Sequence, residues 1–100
     1  MKLDIQSGSP ETRIKIQGRI DTLTASEFET KVNEVINADY QAIAFDCSDM
    51  DYISSSGLRV FLMAQKKVSQ AGKGLTICSL QPSIKEIFDI SGFSQIFTIK

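Results

Sequence analysis

The spacing of apolar residues divides the chain into short runs of period two and longer stretches of helical period. Leu3 and Ile5 alternate with polar neighbours, Ser7-Gly8-Ser9-Pro10 gives a turn, and Ile14 and Ile16 alternate again between Arg13 and Gln17. Two such runs around a Gly/Pro turn predict an antiparallel hairpin. From Thr24 the period lengthens. Ala25, Phe28, Val32, Val35 and Ile36 fall on one stripe of a helix, with Glu27, Glu29, Lys31 and Glu34 on its other faces. Thr24, followed three residues later by Glu27, has the pattern of a capping box. Ala42 to Phe45 is a continuous apolar run, as in a strand covered on both faces, and Asp46 to Asp51 reads as a polar loop. Ser54-Ser55-Ser56-Gly57 then precedes a second helical stripe of Leu58, Phe61, Leu62, Val68 and Ala71, ended by Gly72-Lys73-Gly74. Leu75 to Leu80 reads as a strand. Pro82 opens a third helix carried by Ile84, Ile87 and Phe88; Ser91-Gly92 stops it, and Gln95 to Ile99 is a last strand. The order β-β-α-β-α-β-α-β predicts an α/β domain with a mostly parallel sheet led by an N-terminal hairpin.

Length and charge narrow the function. One hundred residues fit a single domain, 1–100. Eleven Lys+Arg against twelve Asp+Glu leave a net charge of −1, which argues against the basic stripe that neutralises phosphates, and no nucleic acid is expected as partner. No apolar run approaches the ~18 residues of a membrane span. The alternating N-terminus lacks the apolar block of a signal peptide, so a cytoplasmic location is expected. The absence of histidine excludes Ser-His-Asp and Cys-His catalysis and imidazole-based zinc sites. Cys47 and Cys78, each in or beside an apolar run, are expected to be buried, reduced and inert. No enzyme activity and no cofactor are expected.

In open α/β sheets, sites lie beyond the carboxyl ends of the strands, here the loops Gly18–Thr24 and Asp46–Gly57. The second delivers three serines and a glycine into a helix start, where free N–H groups and the helix dipole attract an anion. An N-cap and an easy turn would explain the same residues, and local chemistry does not choose between these readings. Sharper motifs fail. A nucleophile elbow at Ser55 would need glycine where Ile53 stands. Gly72-Lys73-Gly74 lacks the upstream glycine and following hydroxyl of a phosphate-binding loop. Asp46, Asp49 and Asp51 lack the turn glycine and bidentate Glu of a calcium loop and read as a solvated acidic loop. Met50, Tyr52, Phe61 and Met63 read as core or rim.

Tyr52-Ile53-Ser54-Ser55-Ser56-Gly57-Leu58-Arg59-Val60 resembles the signature of the anti-sigma factor antagonists, small stand-alone STAS domains of bacteria. Gly18-Arg19-Ile20-Asp21 with Thr24-Ala25 is similar to the family's first loop, and Ile90-Ser91-Gly92-Phe93 with Ile96-Phe97 to its closing segment. The resemblance runs the length of the chain in the right order. In the family the segment is typically Asp-Ser-Ser/Thr-Gly-Leu, and the serine after Asp accepts phosphate from a partner kinase. Aligned on Gly57-Leu58, that acceptor is Ser55. This chain has Ser54 where the family usually has Asp, which places a second hydroxyl beside the first.

The resemblance implies a phosphorylation-switched binding protein. Its unmodified form would dock on an anti-sigma factor that is itself a serine kinase with the histidine-kinase-like ATPase fold, freeing sigma factor. Phosphorylation at Ser55 would end the interaction, and a PP2C-like serine phosphatase would restore it. Asp21, Thr24, Ser54, Ser56, Gly57 and Arg59 are the expected partner-binding residues. Two alternatives stay open: a STAS module that is never phosphorylated and acts as a ligand sensor or scaffold, and a weak nucleotide binder.

Overall fold

Alternation in the first twenty residues does fold as a hairpin. In a computed structural model describing all of residues 1–100, β1 (Lys2–Gln6) pairs antiparallel with β2 (Thr12–Ile20). Then follow α1 (Ala25–Asn37), β3 (Ala42–Ile53), α2 (Ser55–Gln70), β4 (Gly74–Cys78) and α3 (Pro82–Ile90). A single 3₁₀ turn (Phe93–Gln95) leads to β5 (Thr98–Ile99). The sheet order is β1-β2-β3-β4-β5, and every pairing after the hairpin is parallel. Each crossover therefore steps in the same direction, and right-handed crossovers that do so put all three helices on one face.

The core confirms that single-sided layout. Phe28 of α1, Phe61 of α2 and Phe88 of α3 are fully buried, and their rings touch in sequence with centroids 5.3 and 6.0 Å apart. Phe45 of β3 packs edge-on against Phe61 at 4.8 Å, and Ile14, Ile16, Ile43 and Ile77 complete the layer beneath. Each such side chain contributes about 1.5–3 kcal/mol by leaving water, and edge-to-face rings add to this. The other face of the sheet is polar, with Arg13 beside Asp46 (3.8 Å) and Lys15 beside Asp49 (3.2 Å).

Four local expectations are corrected. The Asp46–Asp51 segment is not a loop: β3 continues through it to Ile53. Two register shifts against β2, at Lys15/Gln17 and Gly18/Arg19, break the alternation that would have marked it as a strand. Cys47 and Met50 point into the core there while Ser48, Asp49 and Asp51 face solvent. For the same reason β2 runs past Gly18 to Ile20, with Gly18 at φ +90° beside the second shift. The closing strand is only Thr98–Ile99, because Phe93 to Gln95 form the 3₁₀ turn. Cys78 is half-exposed on the open side of the sheet, and neither thiol is bridged.

Candidate functional site

The two loops singled out in the sequence meet at one end of the sheet. Ile20 pairs with Ile53, and the Ser54 N–H donates to the Ile20 carbonyl at 2.8 Å. The strands thus end level, and α1 and α2 both start from that rim.

The start of α2 assigns the three serines three different jobs. Ser54 is the N-cap: its backbone is extended and its Oγ accepts from the Gly57 N–H at 3.2 Å in a buried setting. Ser55 is the first helical residue and is exposed. Ser56 is half-buried and turns toward α1. Gly57 is buried because the helix lies so close to the sheet. A methyl there would come within 2.7 Å of Ile20 Cγ2 and 2.9 Å of Ile53 Cγ1.

The start of α1 is tied by a reciprocal pair, one turn earlier than the sequence pattern suggested. The Asp21 carboxylate accepts from the Thr24 N–H at 2.9 Å, and Thr24 Oγ1 accepts from the Asp21 N–H at 2.9 Å. This is the capping-box exchange, with Asp21 in the capping role and Thr24 three residues on. The Ala25 N–H already donates to the Asp21 carbonyl, so helical bonding begins there. Thr24 makes no side-chain cap to α1, and the expected box with Glu27 does not form. The N–H and hydroxyl of Thr24 hold the Asp21 carboxyl below its ordinary value; the Leu23 N–H and Arg19 act in the same sense, and desolvation opposes them.

Between the helix starts runs a cleft of about 400 Å³ lined by Thr22, Ser26 and Glu29 from the α1 side and by Ser56, Arg59 and Met63 from α2. Of the expected site residues, Ser56 and Arg59 line it. Ser55 precedes Ser56 in the first turn of α2, and Asp21, Thr24, Ser54 and Gly57 do not line the cleft. Sequence reasoning missed Thr22, Ser26 and Glu29, whose signal was only the polar side of the α1 stripe. It also missed Leu23, 88% exposed, and the stacking of Arg19 on Tyr52, whose guanidinium lies 4.2 Å from the ring centre. No group of three or more Cys, Asp or Glu converges to hold a metal ion. No helix is long and apolar enough to cross a membrane.

Comparison with known proteins now settles the family. The STAS domain model matches residues 3–100. This chain belongs to the STAS domain family, among the anti-sigma factor antagonists. It is 34% identical over 84 residues to BtrV of Bordetella bronchiseptica, covering 84% of this chain and 72% of that protein. It is 33% identical over 92 residues to the anti-sigma-B factor antagonist of Listeria monocytogenes, covering 87% of this chain and 76% of that protein. Among solved structures it is similar to the Bacillus cell fate determinant SpoIIAA in its phosphorylated form, with a TM-score of 0.77, 15% identity, and coverage of 99% of this chain and 91% of that one. At that identity the likeness is one of fold.

Proposed function

We propose that this STAS domain is an anti-sigma factor antagonist switched by phosphate at Ser55. Its unmodified form docks the α1/α2 end on an anti-sigma factor serine kinase with the histidine-kinase-like ATPase fold, and sigma factor is released. ATP-dependent phosphorylation of Ser55 ends that contact, and a PP2C-like phosphatase resets it. The domain supplies the substrate hydroxyl and the docking surface and performs no catalysis itself.

One observation carries the choice of residue: of the three neighbouring serines, only Ser55 is exposed, while the Ser54 hydroxyl is buried and engaged as the cap of α2. A kinase needs an accessible hydroxyl, and the first residue of a helix is also where a dianion is best tolerated. That a solved relative of the same fold is described in a phosphorylated form supports the chemistry. The sign of the switch follows from charge. Phosphate adds about −1.5 to −2 at neutral pH. A partner carboxylate brought to ~4 Å would repel one unit of it by about 4 kcal/mol at intermediate dielectric. A loss of about 2.8 kcal/mol already weakens binding a hundredfold.

The test is capture of the partner with unmodified protein, incubation with ATP, and peptide mapping by mass spectrometry. Phosphate on Ser55 with release of the partner is the expected result. Phosphate confined to Ser54 or Ser56 would overturn the assignment, and no phosphate at all would favour a constitutive scaffold.

A further inference from the structure

The outer edge of β1 is unpaired within the chain. Its five residues pair with β2 without a register shift, it carries no proline or bulge, and no element covers its far side. Of the features that commonly blunt an edge strand it has only its short length and the charges of Lys2 and Asp4, and an unpaired edge is a template for another strand. Leu3 and Ile5 remain only half-buried at this edge. A trough of about 370 Å³ runs beside them, bounded by Met1, by Lys2, Leu3 and Ile5 of the strand, and by Glu27, Lys31 and Glu34 of α1.

We infer that this edge pairs with β1 of a second copy of the chain, antiparallel and centred on Leu3. Charge and side-chain alternation select that register. A two-fold axis perpendicular to the sheet keeps each face on its own side, so only registers centred on a residue bring like-facing side chains opposite one another. Centring on Lys2 sets Lys2 against its own copy, and centring on Asp4 sets Asp4 against Asp4; like charges directly opposite are destabilising. Centring on Ile5 places Leu3 against Ser7 and leaves Lys2 without a partner in the strand. Centring on Leu3 places Lys2 of each copy opposite Asp4 of the other, with Leu3 against Leu3 and Met1 against Ile5 on the helix side.

The same register completes a pattern already present within the chain. Asp4 lies opposite Lys15 of β2, and Lys15 lies opposite Asp46 of β3. Lys2 of the second copy extends that row to Asp46, Lys15, Asp4, Lys2, alternating in sign across the polar face. Because the pairing is antiparallel, the two Ser55-bearing ends point in opposite directions, and each stays free. This inference does not depend on Ser55 being the phosphate acceptor. A five-residue strand contact is smaller than a standard stable interface, so the association is weak and concentration-dependent.

A charge-reversal pair tests it by sedimentation velocity across the micromolar to millimolar range. Wild type is expected to shift from monomer to dimer with concentration. Lys2→Asp faces Asp4 with an aspartate, Asp4→Lys faces Lys2 with a lysine, and each alone weakens self-association by about tenfold over the two symmetric contacts. Mixed together, the two variants form a heterodimer in which both contacts are again opposite in sign. Lys2 lies opposite neutral Gln17 within its own chain, so Lys2→Asp keeps the fold, which circular dichroism checks, even if Asp4→Lys beside Lys15 does not. A wild type that stays monomeric throughout, or a dimer indifferent to Lys2→Asp, overturns the inference. So does a mixture of two folded variants that fails to associate.

Discussion

Replacing Gly57 by alanine isolates how tightly α2 is seated on the sheet. In an open helix the change would be stabilising by about 1 kcal/mol, since glycine is the poorer helix former. Here the added methyl would stand 2.7 Å from Ile20 Cγ2 and 2.9 Å from Ile53 Cγ1. Both isoleucines are buried at the ends of paired strands, and Ile20 is fully enclosed by the core. Neither the Ile20 methyl nor the Ile53 methylene is the loose end of a long side chain, so relief requires the first turn of α2 to lift or the strand ends to part. Overpacking of this kind costs about 1–3 kcal/mol. Against a propensity gain that is only partial in the first helical turn, the net loss is about 1–2 kcal/mol. For a domain of this size that lowers the melting temperature by roughly 4–15 °C. Thermal melts by circular dichroism measure it, with Gly74→Ala as control, because a methyl at Gly74 has nothing within 4 Å. The control should stay within about 0.5 kcal/mol of wild type. A Gly57→Ala protein that melts with wild type or above it would refute the close seating of α2.

Ser54→Ala removes the cap of α2 and should cost about 0.5–2 kcal/mol, while Ser54→Asp keeps an acceptor for the Gly57 N–H and should melt near wild type. Asp21→Ala should lower the melting temperature as well as any partner affinity, because its carboxylate ties the start of α1; Asp21→Asn, which keeps an acceptor oxygen, should lower it less. Asp21, Asp46 and Asp89 are all held below the ordinary carboxylate value of 3.8 in the fold, so the stability they contribute is complete above that value and is lost as pH falls through their lowered values. Melts in an acid series should decline from about pH 4 downward, and the decline should be shallower in Asp21→Asn. Burial pushes the Cys47 thiol up to about 12, whereas Cys78 is half-exposed. A thiol reagent at neutral pH should therefore label Cys78 in the native protein and Cys47 only after denaturation.

Much of this fold is written in the apolar periodicity. The stripe from Ala25 to Ile36 and the stripe from Leu58 to Val68 each fold as the helix they describe, and strands between helices left only a parallel sheet. The second half of β3 was not legible because its two register shifts replace alternation with the string Asp46-Cys47-Ser48-Asp49-Met50-Asp51. Alternation is a signal only while pairing stays in step. At the site, the serine run and its helix were visible, but the division of labour among Ser54, Ser55 and Ser56 was not. One residue along a helix start changes a buried cap into an exposed hydroxyl, and composition carries no trace of that. The capping box was misplaced for a similar reason: Asp21-Thr22-Leu23-Thr24 and Thr24-Ala25-Ser26-Glu27 both carry a capping residue and a suitable third neighbour. The choice fell to the first because Ile20 ends its strand immediately before Asp21.

The cap arrangement bears on why serine can stand at position 54. What α2 needs there is an oxygen that accepts from Gly57, and a hydroxyl supplies it as an aspartate would. The difference is a formal negative charge next to Ser55. With serine in that place, Arg59 shares the cleft with Glu29 but is in no ion pair, and the contrast made by a phosphate is correspondingly greater. Arg59 follows Ser55 by four residues, one helical turn, so a phosphate on Ser55 would lie within reach of its guanidinium. On the proposed reading, modification would then act twice on a partner with an acidic surface, adding negative charge and occupying the cation that the surface would otherwise meet. Both helix starts are fixed by their own caps and by the Ser54 to Ile20 hydrogen bond. On that reading the switch would need no movement of the backbone, only a change in what this end of the sheet presents.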